Sequence, residues 1–120
     1  MTEYDDPIVT KIKGLASFPI DVECDGWPDV IFNIIFDRQP DRAAAQKCVS
    51  ALEQYMYAYD RIHFLRPIHY VSDIDSLPEP ESIFSVCIHM DFGNASPKAL
   101  IGAVKAITDT KLNIYHLVLE

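Results

Sequence analysis

The side chains here best suited to transition-metal binding or nucleophilic chemistry are four histidines, His63, His69, His89 and His116, and three cysteines, Cys24, Cys48 and Cys87. All four histidines fall in segments that read as strands. His63 and His69 differ by an even number and would share a face of a regular strand, but Pro67 lies between them. Along an extended chain they stand about 20 Å apart, too far to share one metal ion. No Cys-x-x-Cys or His-x-x-x-His pair supplies two ligands at a known spacing, so the histidines read as structural or surface residues. The run Ser85-Val86-Cys87-Ile88-His89 sets a thiol and an imidazole on one strand face. Such i, i+2 neighbours lie about 6–7 Å apart, whereas a catalytic pair needs hydrogen-bond contact. The expectation is a buried cysteine beside an incidental histidine. Asp91-Phe92-Gly93 matches three letters of a kinase motif without the glycine-rich loop, strand lysine or catalytic loop that give it meaning. No catalytic residue, metal site or cofactor is expected.

The turns 37–41 and 91–96 are the remaining places for small-ligand chemistry. They are expected to leave the same end of two central strands, where helix N-termini favour anions. Asp37, Asp41 and Asp91 oppose that reading, and Arg38, Arg42 and Lys98 support it. Gly93 stands alone, without a phosphate cradle around it. Capping turns are the expectation, with a ligand pocket as the alternative.

What is left is surface. Asp21, Glu23, Asp25 and Asp29 lie within nine residues and bracket Trp27. Asp73, Asp75, Glu79 and Glu81 line the connection 72–82. Tyr57 lies off the apolar stripe of its helix, next to Glu53 and Asp60. Each cluster is either a solvated acidic surface or a contact for a basic protein. In the second case acidic charge steers the encounter and buried aromatic anchors hold it.

The elements that must position these residues follow from hydrophobic spacing. Val30–Phe36 is β-branched and aromatic and reads as a buried strand. Asp41 is a good N-cap, because its carboxylate can accept the orphan amides of a first turn. Behind it Ala45, Cys48, Val49, Leu52, Tyr55, Met56 and Tyr59 recur at steps of three and four, which places them on one face of a helix of about five turns. A second strand is expected within Ile62–Val71. Pro67 makes it an edge or bulged strand, since proline cannot donate to a ladder. The plan then repeats: a strand over Ile83–Met90, a turn at Gly93-Asn94-Ala95, and a helix capped by Ser96 with Pro97 at its first position. Leu100, Ala103, Val104 and Ile107 form that helix's stripe, and a last strand ends at Leu119. Residues 1–28 lie outside the repeat. Ile8–Ile12 and Phe18–Val22 fit two short strands, or a helical turn plus a strand, and an extra edge strand is preferred.

The order βαββαβ over about residues 29–120 resembles the ferredoxin-like split βαβ sandwich. That resemblance implies an antiparallel sheet with two helices on one face, and strands 30–36 and 83–90 adjacent at its centre. The whole chain, 1–120, then forms one domain. Phe32, Ile34, Leu52, Met56, Val86, Ile88, Leu100, Val104 and Ile107 are the expected core.

The 120 residues are 49% hydrophobic and 23% charged, which excludes wholesale disorder. Ten Lys and Arg against 18 Asp and Glu give a net charge of −8. Nucleic acid and anionic membranes would repel such a chain. No apolar run approaches the length of a membrane span. The acidic start, Met1–Asp6, does not fit a signal peptide, so a cytoplasmic protein with reduced cysteines is expected. In size, acidity and lack of catalytic residues the chain is similar to bacterial immunity proteins, including those that neutralise contact-dependent growth inhibition toxins. That resemblance implies a non-catalytic partner for a basic, nuclease-type toxin. Two other readings share the βαββαβ plan. One is an ACT-like ligand-sensing domain, against which Arg38-Gln39-Pro40 stands where a glycine-containing loop belongs. The other is a small dimeric ferredoxin-like enzyme using His89 or His116 on its open sheet face. Both leave room for a homodimer.

Overall fold

The computed structural model describes residues 7–24 and 29–120. Along β2, Asp29–Phe36, side chains alternate between two faces. Val30, Phe32, Ile34 and Phe36 are buried on one face, and Asp29, Ile31, Asn33 and Ile35 occupy the other. Helix α2, Arg42–Ile62, follows. Asp41 caps it as expected, its Oδ1 accepting from the Ala44 amide at 2.8 Å. The buried residues Ala45, Cys48, Val49, Leu52 and Met56 confirm the inward stripe.

The helix runs further than expected and consumes the start of the strand placed at 62–71. It closes with a Schellman motif, in which the Leu65 amide donates to the Asp60 carbonyl at 2.8 Å and the Phe64 amide to that of Arg61 at 3.3 Å. Phe64 takes the left-handed position, φ 58°, that glycine normally fills. Only Tyr70–Val71, β3, pairs with the sheet. The reason lies in Pro67, which has no amide to donate, and in the helical stripe that continues through Tyr59. His63 is therefore the C-cap of α2, and His69 lies in the connection that follows it; neither is in a strand.

Strand β4, Ser85–Asp91, begins two residues later than expected, because Ser82 and Ser85 close a local turn. The Ser85 amide donates to the Ser82 carbonyl at 3.2 Å, and the Ser82 amide donates to Ser85 Oγ at 3.0 Å. Helix α3, Ala99–Thr108, is entered through i, i+3 bonds such as Ala99 N to Ser96 O at 2.8 Å, so Ser96 stands ahead of the helix proper. Its hydroxyl still accepts from the Lys98 amide at 3.2 Å. Gly102 lets α3 approach α2 closely: a Cβ there would sit 2.2 Å from the Tyr55 hydroxyl oxygen, which donates to the Ala99 carbonyl. The last strand, β5, spans Ile114–Leu119.

The N-terminal segment takes the form of a helix plus a strand. Pro7–Lys13 is α1, and Ile20–Val22 is an edge strand, β1. The five strands stand in the order β1-β5-β2-β4-β3. β2 pairs antiparallel with both β4 and β5, as expected of the central strands, and β3 pairs antiparallel with β4. The sheet as a whole is mixed, however, because β1 runs parallel to β5. β5 inserts between β1 and β2 and runs antiparallel to β2, so a β1 that reverses direction before β2 must lie parallel to it. The fold is thus α+β, a five-stranded mixed sheet with three helices among the described residues.

One buried cluster joins Val9 and Ile12 of α1, the stripes of α2 and α3, and Ile20, Val30, Phe32, Ile34, Val86, Ile88, Met90, Leu117 and Leu119 of the sheet. All nine expected core residues belong to it. The strand residues in it all lie on one face, so the three helices cover that face and, among the described residues, leave the other without a helical layer. Among the described residues no helix is long and apolar enough to cross a membrane.

Candidate binding face

The uncovered face is defined by cross-strand register. Asp21 stands opposite Val118, Val118 opposite Asn33, and Asn33 opposite Cys87. Ile31 faces His89, and Asp29 faces Asp91. His116 and Ser85 flank Ile35. Asn33, at the centre, is 2% exposed although no helix among the described residues covers it. Returning chain from the 72–84 connection accounts for this: Glu81 Oε2 accepts from Asn33 Nδ2 at 2.7 Å. Cys87 Sγ lies 3.8 Å from Asn33 Oδ1.

Carboxylates gather around this point. Burial pushes the Glu120 carboxyl above its ordinary value, and the Glu81 carboxylate pushes it the same way. The Asn33 amide pulls it part of the way back, and Glu23 adds a further upward push. Glu120 Oε2 is buried without a hydrogen-bond donor among the described residues. Around the margin, His89 Nε2 lies 2.8 Å from Asp29 Oδ1, and His116 Nε2 lies 2.8 Å from Asp21 Oδ2. Each histidine is therefore held by a carboxylate. All ten Lys and Arg lie outside the strands. The strand residues of this face therefore contribute none of the chain's lysines and arginines.

The sequence candidates divide accordingly. Asp21, Glu23, Asp29 and Glu81 come together on or beside the open face. Asp73, Asp75 and Glu79 are exposed on the connection to β4, where Asp75 Oδ1 pairs with Arg42 Nη2 at 2.6 Å beside the start of α2. Tyr57 is exposed on α2, its ring edge-on to His69 at 4.6 Å. His69 Nδ1 in turn meets the buried Asp60 Oδ2 at 2.6 Å and ties the last turns of α2 to the chain entering β3. Asp25 and Trp27 lie outside the described residues. Asn33, Asp91 and Glu120 were not foreseen. Strand parity was the signal for them: a lone asparagine at every-second-residue spacing from Asp29 marks a second, non-core face.

Nucleophilic chemistry finds little support here. Cys87 and His89 share the face, but the imidazole is engaged with Asp29 and burial raises the Cys87 thiol. Burial pushes the Cys48 thiol up to about 12. A thiolate is the reactive form. Thiol titration of the native protein is expected to leave Cys48 and Cys87 unreacted on the timescale at which they react in denaturant. Equal rates in the two conditions would contradict their burial. Among the described residues no group of three or more His, Cys, Asp or Glu is placed to hold a metal ion. The turns 37–41 and 91–96 leave opposite ends of the central pair, not the same end, because β2 and β4 are antiparallel and Asp29 pairs with Asp91. They cannot line one pocket within a chain. No family model, curated protein or solved structure matches this chain.

Proposed function

We propose that this protein is a non-catalytic binding module, an immunity protein that neutralises a basic, nuclease-type bacterial toxin by covering its cationic surface. We read β2-α2-β3-β4-α3-β5 as its ferredoxin-like core, with α1 and β1 as an added edge. The observation that carries the functional reading is the convergence of Glu81, Glu120 and Glu23 about Asn33 on a sheet face whose strands hold no lysine or arginine. Like charges held close together are unfavourable in the free protein. Lysines or arginines of a partner would relieve that repulsion, so it becomes part of the binding energy. Nucleic acid would meet the same face with repulsion.

A trade-off follows. Between the ordinary carboxylate value of 4.5 and the raised folded value of Glu120, the native state holds more protons than the unfolded chain. Stability therefore falls as pH rises through that window. Glu120→Gln removes this loss. The variant is expected to melt at a higher temperature than the parent at neutral pH, to show a weaker fall in stability above the carboxylate range, and to bind the partner less tightly. Thermal melts across pH check the first two effects. A variant less stable than the parent at neutral pH would contradict the repulsion. The direct test of function is capture of the product of a neighbouring toxin gene, followed by growth protection of cells expressing that toxin. Absence of both capture and protection would reject the reading.

A further inference from the structure

At the end of the sheet where β2 leaves and β5 begins, the register shifts by one residue: Ile35 stands opposite His116, but Phe36 stands opposite Ile114. Tyr115 is the extra residue of this bulge, and a bulge re-aims its side chain out of the regular pleat. Tyr115 is 65% exposed. Across from it, Phe84 precedes β4, its carbonyl accepting from the Phe36 amide at 2.8 Å, and its ring remains 43% exposed. Between them lies a cavity of about 360 Å³ lined by Ile35, Phe36, Asp37, Ser82, Phe84 and Tyr115. Its walls are aliphatic and aromatic, and Asp37 is its one charged group. Large exposed aromatics beside a hole are costly to leave in water and are typical of anchor sites.

We propose that this slot is an anchor pocket for a single arginine or lysine side chain of the basic partner. The inference rests on the reading of the protein as a binder of a basic toxin and names the group that its sheet end takes. A cationic side chain matches both halves of the cavity. Its methylene stem covers Ile35, its charged head lies against the faces of Phe84 or Tyr115, and the head reaches Asp37. The net charge of −8 favours a cation over an apolar anchor of the same length. Arg38 Nε already stands 3.6 Å from Asp37 Oδ1, but both side chains are well exposed. A surface pair of that kind is weak and readily exchanged for an incoming cation.

The test uses the full chain and small probes, independent of any toxin. N-acetyl-arginine amide, N-acetyl-lysine amide and N-acetyl-norleucine amide are titrated separately while aromatic and methyl NMR resonances are followed. The cationic probes are expected to shift Tyr115, Phe84 and Ile35 saturably. Tyr115→Ser and Asp37→Asn, both at exposed positions, are each expected to weaken that binding by about 2- to 30-fold while leaving the remaining spectrum unchanged. Norleucine amide binding as tightly as the cations would overturn the proposal in favour of an apolar anchor site. Shifts confined to the surroundings of Asn33 and Glu120 would also overturn it while leaving the acidic-face reading standing. Failure of the acidic-face reading is detected separately, by loss of toxin capture despite a slot that takes the cationic probes.

Discussion

Replacing Leu52 by alanine is expected to lower the unfolding free energy by about 2–5 kcal/mol. Leu52 is fully buried in the inward stripe of α2, within the cluster that joins all three helices to the sheet. Truncation removes the transfer energy of its methyl and methylene groups and leaves a cavity that close-packed neighbours fill only in part. Domains of this size have about 5–15 kcal/mol in total, so the change is a large fraction of what holds the fold together. Gln54, two residues along and exposed, is the control. Its alanine variant is expected to stay within about 0.5 kcal/mol of the parent. Urea denaturation with fixed m-value checks both. A Leu52→Ala loss below about 1 kcal/mol would mean that the helix layer is not packed on the sheet as described.

Reversing Glu81 and Glu120 together to lysine is expected to weaken binding to the basic partner by about 100-fold or more, since losing a close charge pair at an interface costs about 2–5 kcal/mol and reversal adds repulsion. Reversal of Asp73 and Asp75 is the matched control. Asp75 pairs with Arg42 at the start of α2, so this variant changes net charge equally without removing a carboxylate of the cluster about Asn33. It is expected to slow association modestly through the overall field and leave dissociation unchanged. Circular dichroism of both variants verifies that the fold persists. Equal weakening by the two double variants would show that charge alone, and not this face, carries the interaction.

The parts of the molecule legible in the sequence were those set by short-range spacing. The stripe from Ala45 to Tyr59 fixed α2 and its inward face, Asp41 its start, and the apolar run before Asp37 the central strand. The burial of Cys48 and Cys87 followed from the same patterns. What stayed hidden depends on long-range register. The parallel pairing of β1 with β5 arises because the last strand inserts beside the first, and no local pattern encodes that neighbour. The shrinkage of the expected strand at 62–71 to two residues required knowing that Phe64 accepts a left-handed conformation, which its residue type argues against. The candidate face is half legible in the sequence. Charge density marks Asp21, Glu23, Asp29 and Glu81, but it marks Asp73, Asp75 and Glu79 equally, and Tyr57 stands out only as an aromatic off its helix's stripe. Only the sheet register separates the groups and adds Asn33, Asp91 and Glu120.

The most direct test of the anionic face is the salt dependence of association with a basic toxin captured as the proposed partner, measured by stopped flow for the parent and for Glu23→Gln/Glu81→Gln/Glu120→Gln. Screening acts over about 8 Å at physiological ionic strength, so attraction between exposed charges weakens steeply as salt is added. The account predicts a parent rate constant that falls by at least about tenfold between low and physiological salt, and a markedly flatter, slower profile for the triple variant. Superimposable profiles for the two proteins would contradict it.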